Sequence, residues 1–406
     1  MKKISTVGAF LVGCLLVLFL TMPSLIKLHQ LENSGASAQS SPAPPAAQGT
    51  APGDGSATTS ETPAPAASPK QLPGGKKQIK IGMLQMMSHP SLDAIRQGII
   101  DELAHRGYID GKNIVINYQN GNGDQNLLKS ISDTFIAKHQ DIVVGIATPA
   151  AQALNNAARG AVPVIYAGIS DPVAAGLAKS LDAPGMNLTG ATMANIDNET
   201  LDVMVKMTPH VKTLGVLYSS SSENVASQVD SMKQLAAQRG LAIKEMTITG
   251  TNDLAQVAEQ LAGQVDAIYV PEDNTVASAM PTLISVTNAH KVPVYPVVDA
   301  MVQAGGLATV GINQYAWGKD SGDALADVIE GADPASYPVK QTNTSETFIN
   351  SKEAKILGIK IPDDVMRSAI DLAGTGDQAG DKPGNQTGGS AGAAKDVANN
   401  QPGKRI

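Results

Sequence analysis

IKIGMLQMMSHPSLDAIRQGIIDELAHRG, residues Ile79–Gly107, decides the fold. It opens on a short apolar run, Ile79–Leu84, broken by Lys80 and Gly82. A polar turn, Gln85–Pro90, follows. Apolar residues then recur at Leu92, Ile95, Ile99 and Leu103, the three- and four-residue steps of one helix face. Gly107 stands just past the last turn, where a left-handed cap favours glycine. The stretch therefore reads strand–loop–helix, the first half of a βαβ unit. The same pattern returns as TLGVLYSSSSENVASQVDSMKQLAAQRG at Thr213–Gly240, with Gly82/Gly215, Arg106/Arg239 and Gly107/Gly240 all 133 apart. Asp141-IVVGIATPAAQA answers Asp266-AIYVPEDNTVAS, and Val162-Pro163-Val164 answers Val292-Pro293-Val294. Ordered matches with drifting offsets are what loop insertions in a duplicated unit produce. Two α/β lobes imply a cleft between them.

The 406 residues carry a net charge of −7 and no basic patch interleaved with aromatics, so nothing suggests a nucleic-acid partner. One Trp, eight Tyr and four Phe make any aromatic at the cleft informative. A single cysteine, Cys14, excludes an intrachain disulfide and a Cys-cluster metal site. Lys2 and Lys3 precede a mostly apolar run, Ile4–Leu28, of bilayer-spanning length, with the charge bias that directs the rest of the chain outward. Three fates stay open for it: an uncleaved anchor, cleavage after Ala38 in Ala36-Ser37-Ala38, or lipidation at Cys14 in a lipobox-like Leu11-Val12-Gly13-Cys14. The expected organisation is a membrane anchor or signal segment over 1–28, a Pro/Ala/Ser linker over 29–78 and a disordered tail over 373–406. Between them lie lobe one, 79–190 with about 313–336, and lobe two, 191–312 with about 337–372.

Strands alternate with helices along 79–372, and Ile142–Ile146 is a continuous apolar run of the kind buried on both faces of a parallel sheet. The fold class is α/β, with two Rossmann-like lobes of parallel sheet flanked by helices. Residues 187–192 read as a crossing between lobes, and Leu307–Ile312 as a strand crossing back.

Ligands of open parallel sheets bind beyond the carboxyl ends of the strands. Those ends carry Gln85, Ser88 and His89, then Thr148, Pro149 and Ala150, then Ser170 and Asp171 in lobe one. Lobe two offers Ser220, Ser222, Glu223 and Asn224, then Glu272, Asp273, Asn274 and Thr275, then Asp299. None is Lys or Arg, so phosphate is poorly served. Thr148-Pro149-Ala150 opens a helix whose N–H groups and dipole suit a carboxylate, although Thr148 could equally cap its own helix. Asp273 and Asp299 are candidates for an ammonium, with an N-cap as the plain alternative for Asp273. The two walls together describe a zwitterion holder. Tyr218, Tyr166 and Tyr295 sit at strand ends, where they either stack on a ring or fill the core. His89 and Asp93 share a helix face, but two ligands do not make a metal site. No cofactor motif and no G-x-S-x-G occurs.

The runs IGMLQMMSHPSLDAIRQGIIDEL, GYIDGKNI, IATPAAQAL, VPVIYAGISDPVAAGL, NLTGATM, VPEDNTV and NSKEAKILGI, in that order, resemble the substrate-binding proteins of bacterial ABC importers. The nearest likeness is the subgroup associated with tryptophan and other aromatic amino acids. The resemblance implies a type I periplasmic-binding fold, three crossings between lobes and a ligand trapped by hinge closure. It places ligand contacts at Gln85, Thr148–Ala150, Asp171, Asn224 and Asp273–Asn274. The implied partners are a small zwitterion such as an amino acid, an ABC permease with its ATPase, and the membrane through the N-terminal segment, on the extracytoplasmic face. A sensor subunit signalling to a membrane partner is the alternative on the same fold. No acid–base pair or nucleophile assembles in the cleft, so no enzyme is expected.

Overall fold

A computed structural model describes residues 78–373. The expected anchor or signal segment with Cys14, the linker with Ala38 and the tail from residue 374 lie outside the described residues. The chain begins with β1 (Ile79–Gln85), α1 (Pro90–His105), β2 (Ile114–Asn120), α2 (Gln125–Ala137), β3 (Ile142–Ile146), α3 (Thr148–Ala158), β4 (Val164–Ala167) and β5 (Leu188–Met193). It continues with α4 (Asp197–Met207), β6 (Thr213–Ser219), α5 (Ala226–Gln238), β7 (Ala242–Ile248), α6 (Leu254–Ala262) and β8 (Ala267–Val270). Then come α7 (Asn274–Ser278), α8 (Met280–Ala289), β9 (Val294–Pro296), α9 (Asp299–Gln303), β10 (Ala308–Ile312) and α10 (Gln314–Ile329). The last elements are β11 (Lys340–Thr342), β12 (Ser345–Ile349), α11 (Ser351–Leu357), α12 (Asp363–Ser368) and β13 (Ile370–Asp371). Among the described residues no helix is long and apolar enough to cross a membrane.

Two parallel sheets form, in the orders β11-β5-β4-β3-β1-β2 and β7-β6-β8-β9. The orders β2-β1-β3-β4 and β7-β6-β8-β9 correspond strand for strand, so the repeat in sequence is a repeat in topology. Packing agrees. A Cβ on Gly82 would stand 2.7 Å from the Phe135 ring of α2, and one on Gly215 3.1 Å from Leu261 of α6. Each glycine on a first strand lets the helix after the second strand lie close. Gly107 and Gly240 both take positive φ, +83° and +70°, at the ends of α1 and α5. A third sheet, β10-β12-β13, is mixed: β10 pairs antiparallel with β12, and β12 parallel with β13.

The stretch expected to cross between lobes, 187–192, is instead largely β5, hydrogen-bonded to β4 within the first sheet. The crossing comes directly after it, into α4. The chain crosses back from β10 into α10, and a third time between β11, which pairs with β5, and β12. Strand pairing thus carries the first sheet beyond residue 190 and out to Lys340–Thr342.

The apolar core follows this division. One cluster fills the second lobe, and two others cover the opposite faces of the first sheet. One of those two takes Trp317 and Leu325 from α10 against Ile95 and Ile99 of α1. The α1–α10 crossing is close because glycines line it. A Cβ on Gly98 would run into the Tyr315 carbonyl, and one on Gly318 into that of Ile95. Arg106 closes the far end of this crossing on Asp327 and Glu330, each at 2.9 Å, and on Asp323. Arg239 does the same for α5 and α4 through Asp202 at 2.5 Å and Asn198 at 2.8 Å.

Because backbone cannot yield as a side chain can, Gly318→Ala should lower the unfolding free energy by about 1–3 kcal/mol. Urea denaturation of the ligand-free protein reads this directly, and an unchanged midpoint would show that the two helices are free to separate.

Candidate functional site

The first wall is built at the ends of β1, β3 and β4. Gln85 is buried, and its Nε2 donates to the Met87 carbonyl at 2.7 Å and to Asp93 Oδ1 at 2.9 Å. Its Oε1 accepts from Arg96 at 3.2 Å. Gln85 therefore braces the β1–α1 loop rather than presenting free polar atoms. Asp93 bonds Gln85 and Ser88, and His89 bonds Asn274 through Nε2.

At the end of β3 the backbone is strained. Ala147 has φ 74°, ψ 154°, a region that costs a non-glycine residue of order 1–3 kcal/mol. This turn aims the N-terminus of α3. Ala147, not Thr148, is the N-cap, and no side chain caps the helix. The Thr148 hydroxyl is therefore not taken by its own helix. Helix geometry leaves the first N–H groups without intrahelical partners, and Pro149 removes one of them. The side chain of Ala150 is in the core, so only its backbone is available. Asp171, after β4, accepts from the Ala174 N–H at 2.9 Å and is only partly buried.

The second wall lies at the ends of β6, β8 and β9. Asp273, 1% exposed, accepts from the Val276 N–H at 2.8 Å and the Ser219 N–H at 2.7 Å. Both carboxylate oxygens tie loop to loop, and the N-cap role holds. Asp299 accepts from the Ala300 N–H at 2.8 Å and from Asn313 Nδ2 at 3.2 Å. Burial pushes its carboxyl up to about 6, against the pull of backbone N–H groups at Ala300 and Gln314. Asn224 donates to the Glu272 carbonyl at 3.1 Å.

Between the walls lies a cleft of about 660 Å³. From the first lobe Met86, Met87, Thr148, Pro149 and Asp171 line it, and from the second Ser221, Ser222, Asn224 and Thr275. Four of the nine candidates therefore meet there: Thr148, Pro149, Asp171 and Asn224. Gln85, Ala150, Asp273, Asn274 and Asp299 do not line it. Nor does any aromatic side chain. Tyr166 and Tyr295 are fully buried, the latter bonded to Thr208, and Tyr218 bonds Glu245.

Besides the bonds of Asp299 to Asn313 and Gln314 at the β10–α10 crossing, two hydrogen bonds join the lobes among the described residues. His89 Nε2 meets Asn274 Oδ1 at 3.0 Å, and the Ser170 hydroxyl bonds the Glu272 carboxyl. Beside them is a void of about 10 Å³ lined by His89, Ser91 and Glu272 among others. Glu272 is partly exposed as a residue, but its Oε2 is enclosed and without a hydrogen-bond partner. His89 Nδ1 and Ser91 Oγ are enclosed and unpartnered as well. Burial pushes the Glu272 carboxyl up to about 8, only partly offset by Ser170. Burial lowers His89, offset in part by Asn274 and by the Asp93 and Asp273 carboxylates. In the sequence Glu272 and Asp273 are two adjacent acids at one strand end. Only the backbone bonds of Asp273 reveal which of them is left over.

The chain matches the family model for ABC transporter substrate binding proteins over residues 80–372, and it belongs to that family. A tyrosine-binding protein of Clostridioides difficile (strain R20291) is 36% identical over 285 residues, 70% of this chain and 82% of the relative. A Streptococcus pneumonia ABC domain solved in complex with L-Trp is 43% identical, with a TM-score of 0.70 over 72% of this chain and 100% of that one. The ligand-free, open structure of a substrate-binding protein with adhesive properties from Clostridium difficile is 35% identical. It aligns over 72% of this chain and 99% of that one, with a TM-score of 0.57.

Removing both backbone bonds of Asp273 by Asp273→Ala should cost about 1–3 kcal/mol of stability without any ligand present, visible in denaturant melts. A variant that melts like the parent would return Asp273 to the list of ligand groups. Glu272 makes stability depend on pH. Its raised carboxyl contributes fully below the ordinary carboxylate range and less as pH climbs to about 8. The lowered His89 works in the opposite sense, losing its contribution as pH falls below its ordinary 6.5. Between pH 6.5 and 8.5 the melting temperature of the ligand-free protein should therefore fall, and Glu272→Gln should flatten that descent.

Proposed function

We propose that the chain is the extracytoplasmic substrate-binding component of an ABC importer, capturing an aromatic amino acid such as tryptophan or tyrosine by hinge closure. The observation that carries this reading is the cleft itself. Its size suits a small ligand, and its opposed walls belong to lobes joined only by three crossings. On the first wall the α3 N-terminus supplies the Thr148 hydroxyl and the N–H groups of Thr148 and Ala150, donors for a carboxylate beside the positive end of the helix dipole. Asp171 from the first lobe and Asn224 from the second both line the cleft. Gln85, Asp273, Asn274 and Asp299 hold the loops that carry these groups.

A ring on the ligand would rest against Met86 and Met87, whose thioethers pack well against aromatic faces and edges. The named ligands of the C. difficile and S. pneumonia relatives support that choice of side chain. Closure is supported by the two lobe-to-lobe hydrogen bonds and by the better superposition on the L-Trp complex than on the open, ligand-free relative. A ligand touching both walls stabilises the closed form by its differential affinity for it. The N-terminal segment would tether the protein at the membrane, where a permease and its ATPase receive the ligand.

Thermal melting against the twenty amino acids tests the reading. At a hundred times its dissociation constant a ligand adds about 2.7 kcal/mol, roughly 5 °C for a domain of this size. Tryptophan, tyrosine or phenylalanine should produce that shift, and Thr148→Ala should shrink it. A shift given only by compounds without a ring would discard the aromatic assignment.

A further inference from the structure

The cleft accounts for a carboxylate and a ring but leaves the third part of an amino acid, its ammonium, without a partner. The acids expected to serve, Asp273 and Asp299, have their oxygens engaged by backbone N–H groups and by Asn313. Asp171 stands at the opening, partly exposed and turned onto the Ala174 N–H. Glu272 is different. One oxygen is bonded to Ser170 across the seam, while Oε2 is enclosed with no partner.

Glu272 does not stand alone. His89 and Ser91, each 5% exposed, bring His89 Nδ1 and Ser91 Oγ to the same void, also without partners. Because Asn274 Oδ1 is an acceptor, His89 Nε2 must donate to it, which leaves Nδ1 of the neutral ring as an acceptor. Glu272 Oε2 and Ser91 Oγ also accept. The residues that carry these three acceptors thus line, with Leu92, Val298 and Met301, a space of about 10 Å³, room for one water-sized group. A primary ammonium has three N–H donors and that size. The void and the cleft share no lining residue, but neighbouring residues link them: Asn224 and Thr275 line the cleft, Asn274 lines the void, Asn224 binds the Glu272 carbonyl, and Ser170 precedes Asp171.

We propose that this seam void receives the ammonium group of the ligand, with Glu272 as counter-charge and His89 Nδ1 and Ser91 Oγ as the remaining acceptors. The assignment rests on the reading of the cleft as an amino-acid site and completes it. It also explains a buried carboxyl that is neutral until a cation arrives. Binding then ionises Glu272: its proton leaves to solvent, and the carboxylate pairs with the incoming ammonium. The other ionisable groups facing this region are His89, Asp273 and Tyr269, with Asp93 beside His89 and Asp197 bonded to Tyr269. With its proton affinity lowered by burial, His89 stays neutral at pH 7 and above and takes no part in the exchange.

Calorimetric titration of the full chain with tryptophan, tyrosine and phenylalanine at pH 7, in phosphate and in Tris, counts the protons released. Close to one proton per ligand is expected, with affinity rising by up to tenfold per pH unit between pH 6 and 8. Glu272→Gln should abolish the release and weaken binding at least about thirtyfold, the effect of removing one partner of a buried charge pair. It should leave indole-3-propionate, which lacks the ammonium, unaffected. Because Glu272→Gln resembles the neutral carboxyl, it should fold, and the proton count of the parent protein needs no variant. Tight binding with no proton release and an unaffected Glu272→Gln overturns the assignment while leaving the aromatic reading intact. Loss of binding in Asp171→Asn but not in Glu272→Gln moves the ammonium to Asp171. If the parent binds none of the three, the reading of the cleft fails and this assignment falls with it.

Discussion

A parallel sheet buried on both faces leaves only its strand ends for polar chemistry, and every polar group enclosed there must find a partner. That requirement governs this molecule. At the carboxyl ends of two such sheets, facing each other, the loops satisfy most of their groups internally. Gln85 braces the β1–α1 turn, Asp273 joins β6 to the start of α7, and Asp299 holds Asn313 at a crossing. The surface proposed to receive the ligand is what remains after those bonds are made. It comprises the forward N–H groups of α3, the hydroxyls and amides of the β6–α5 loop, and three unpartnered acceptors at the seam.

This explains which parts of the protein were legible in its sequence. The duplication was legible because strands and helices carry their periods openly. The matched glycines also proved to have matched jobs, Gly82 under Phe135 and Gly215 under Leu261. The α3 N-terminus was legible because Thr-Pro directly after a buried strand reads as a helix start. The crossing was displaced, since Leu188–Met193 is too polar to read as a central strand yet is protected there by its neighbours. Lys340–Thr342 escaped notice because three polar residues at a sheet edge have no period. The proposed ammonium partner was out of reach for another reason. Hydrogen bonding separates Asp273 from Glu272, and composition does not.

The α1–α10 contact ties a late helix of the chain to its first described one. Glycines at Gly98 and Gly318 bring the helices to backbone contact, and Arg106 gathers three acids at their end. The helix α10 is thereby locked onto the first lobe. On the proposed hinge closure, displacement would concentrate in the three crossings while each lobe moves as a body.

On the proposed hinge closure, closing without a ligand would carry a specific electrostatic penalty. Bringing the walls together takes Glu272 out of water and gives it one hydroxyl in return. Its charged form is therefore disfavoured, and Oε2 stays unsatisfied even when the group is neutral. His89 adds a second desolvated group on the opposite lobe. The lobe-to-lobe bonds offset part of this, but two neutral hydrogen bonds contribute only about 1–3 kcal/mol in sum. A bridging ligand changes the balance most where the penalty lies. A group that supplies donors and positive charge to the seam turns the largest cost of closing into an attraction. A ligand that satisfies only the α3 N-terminus leaves that cost in place. Selection for an amino acid over a simple carboxylic acid would then be exercised by closure itself and not by the open wall that first receives the ligand.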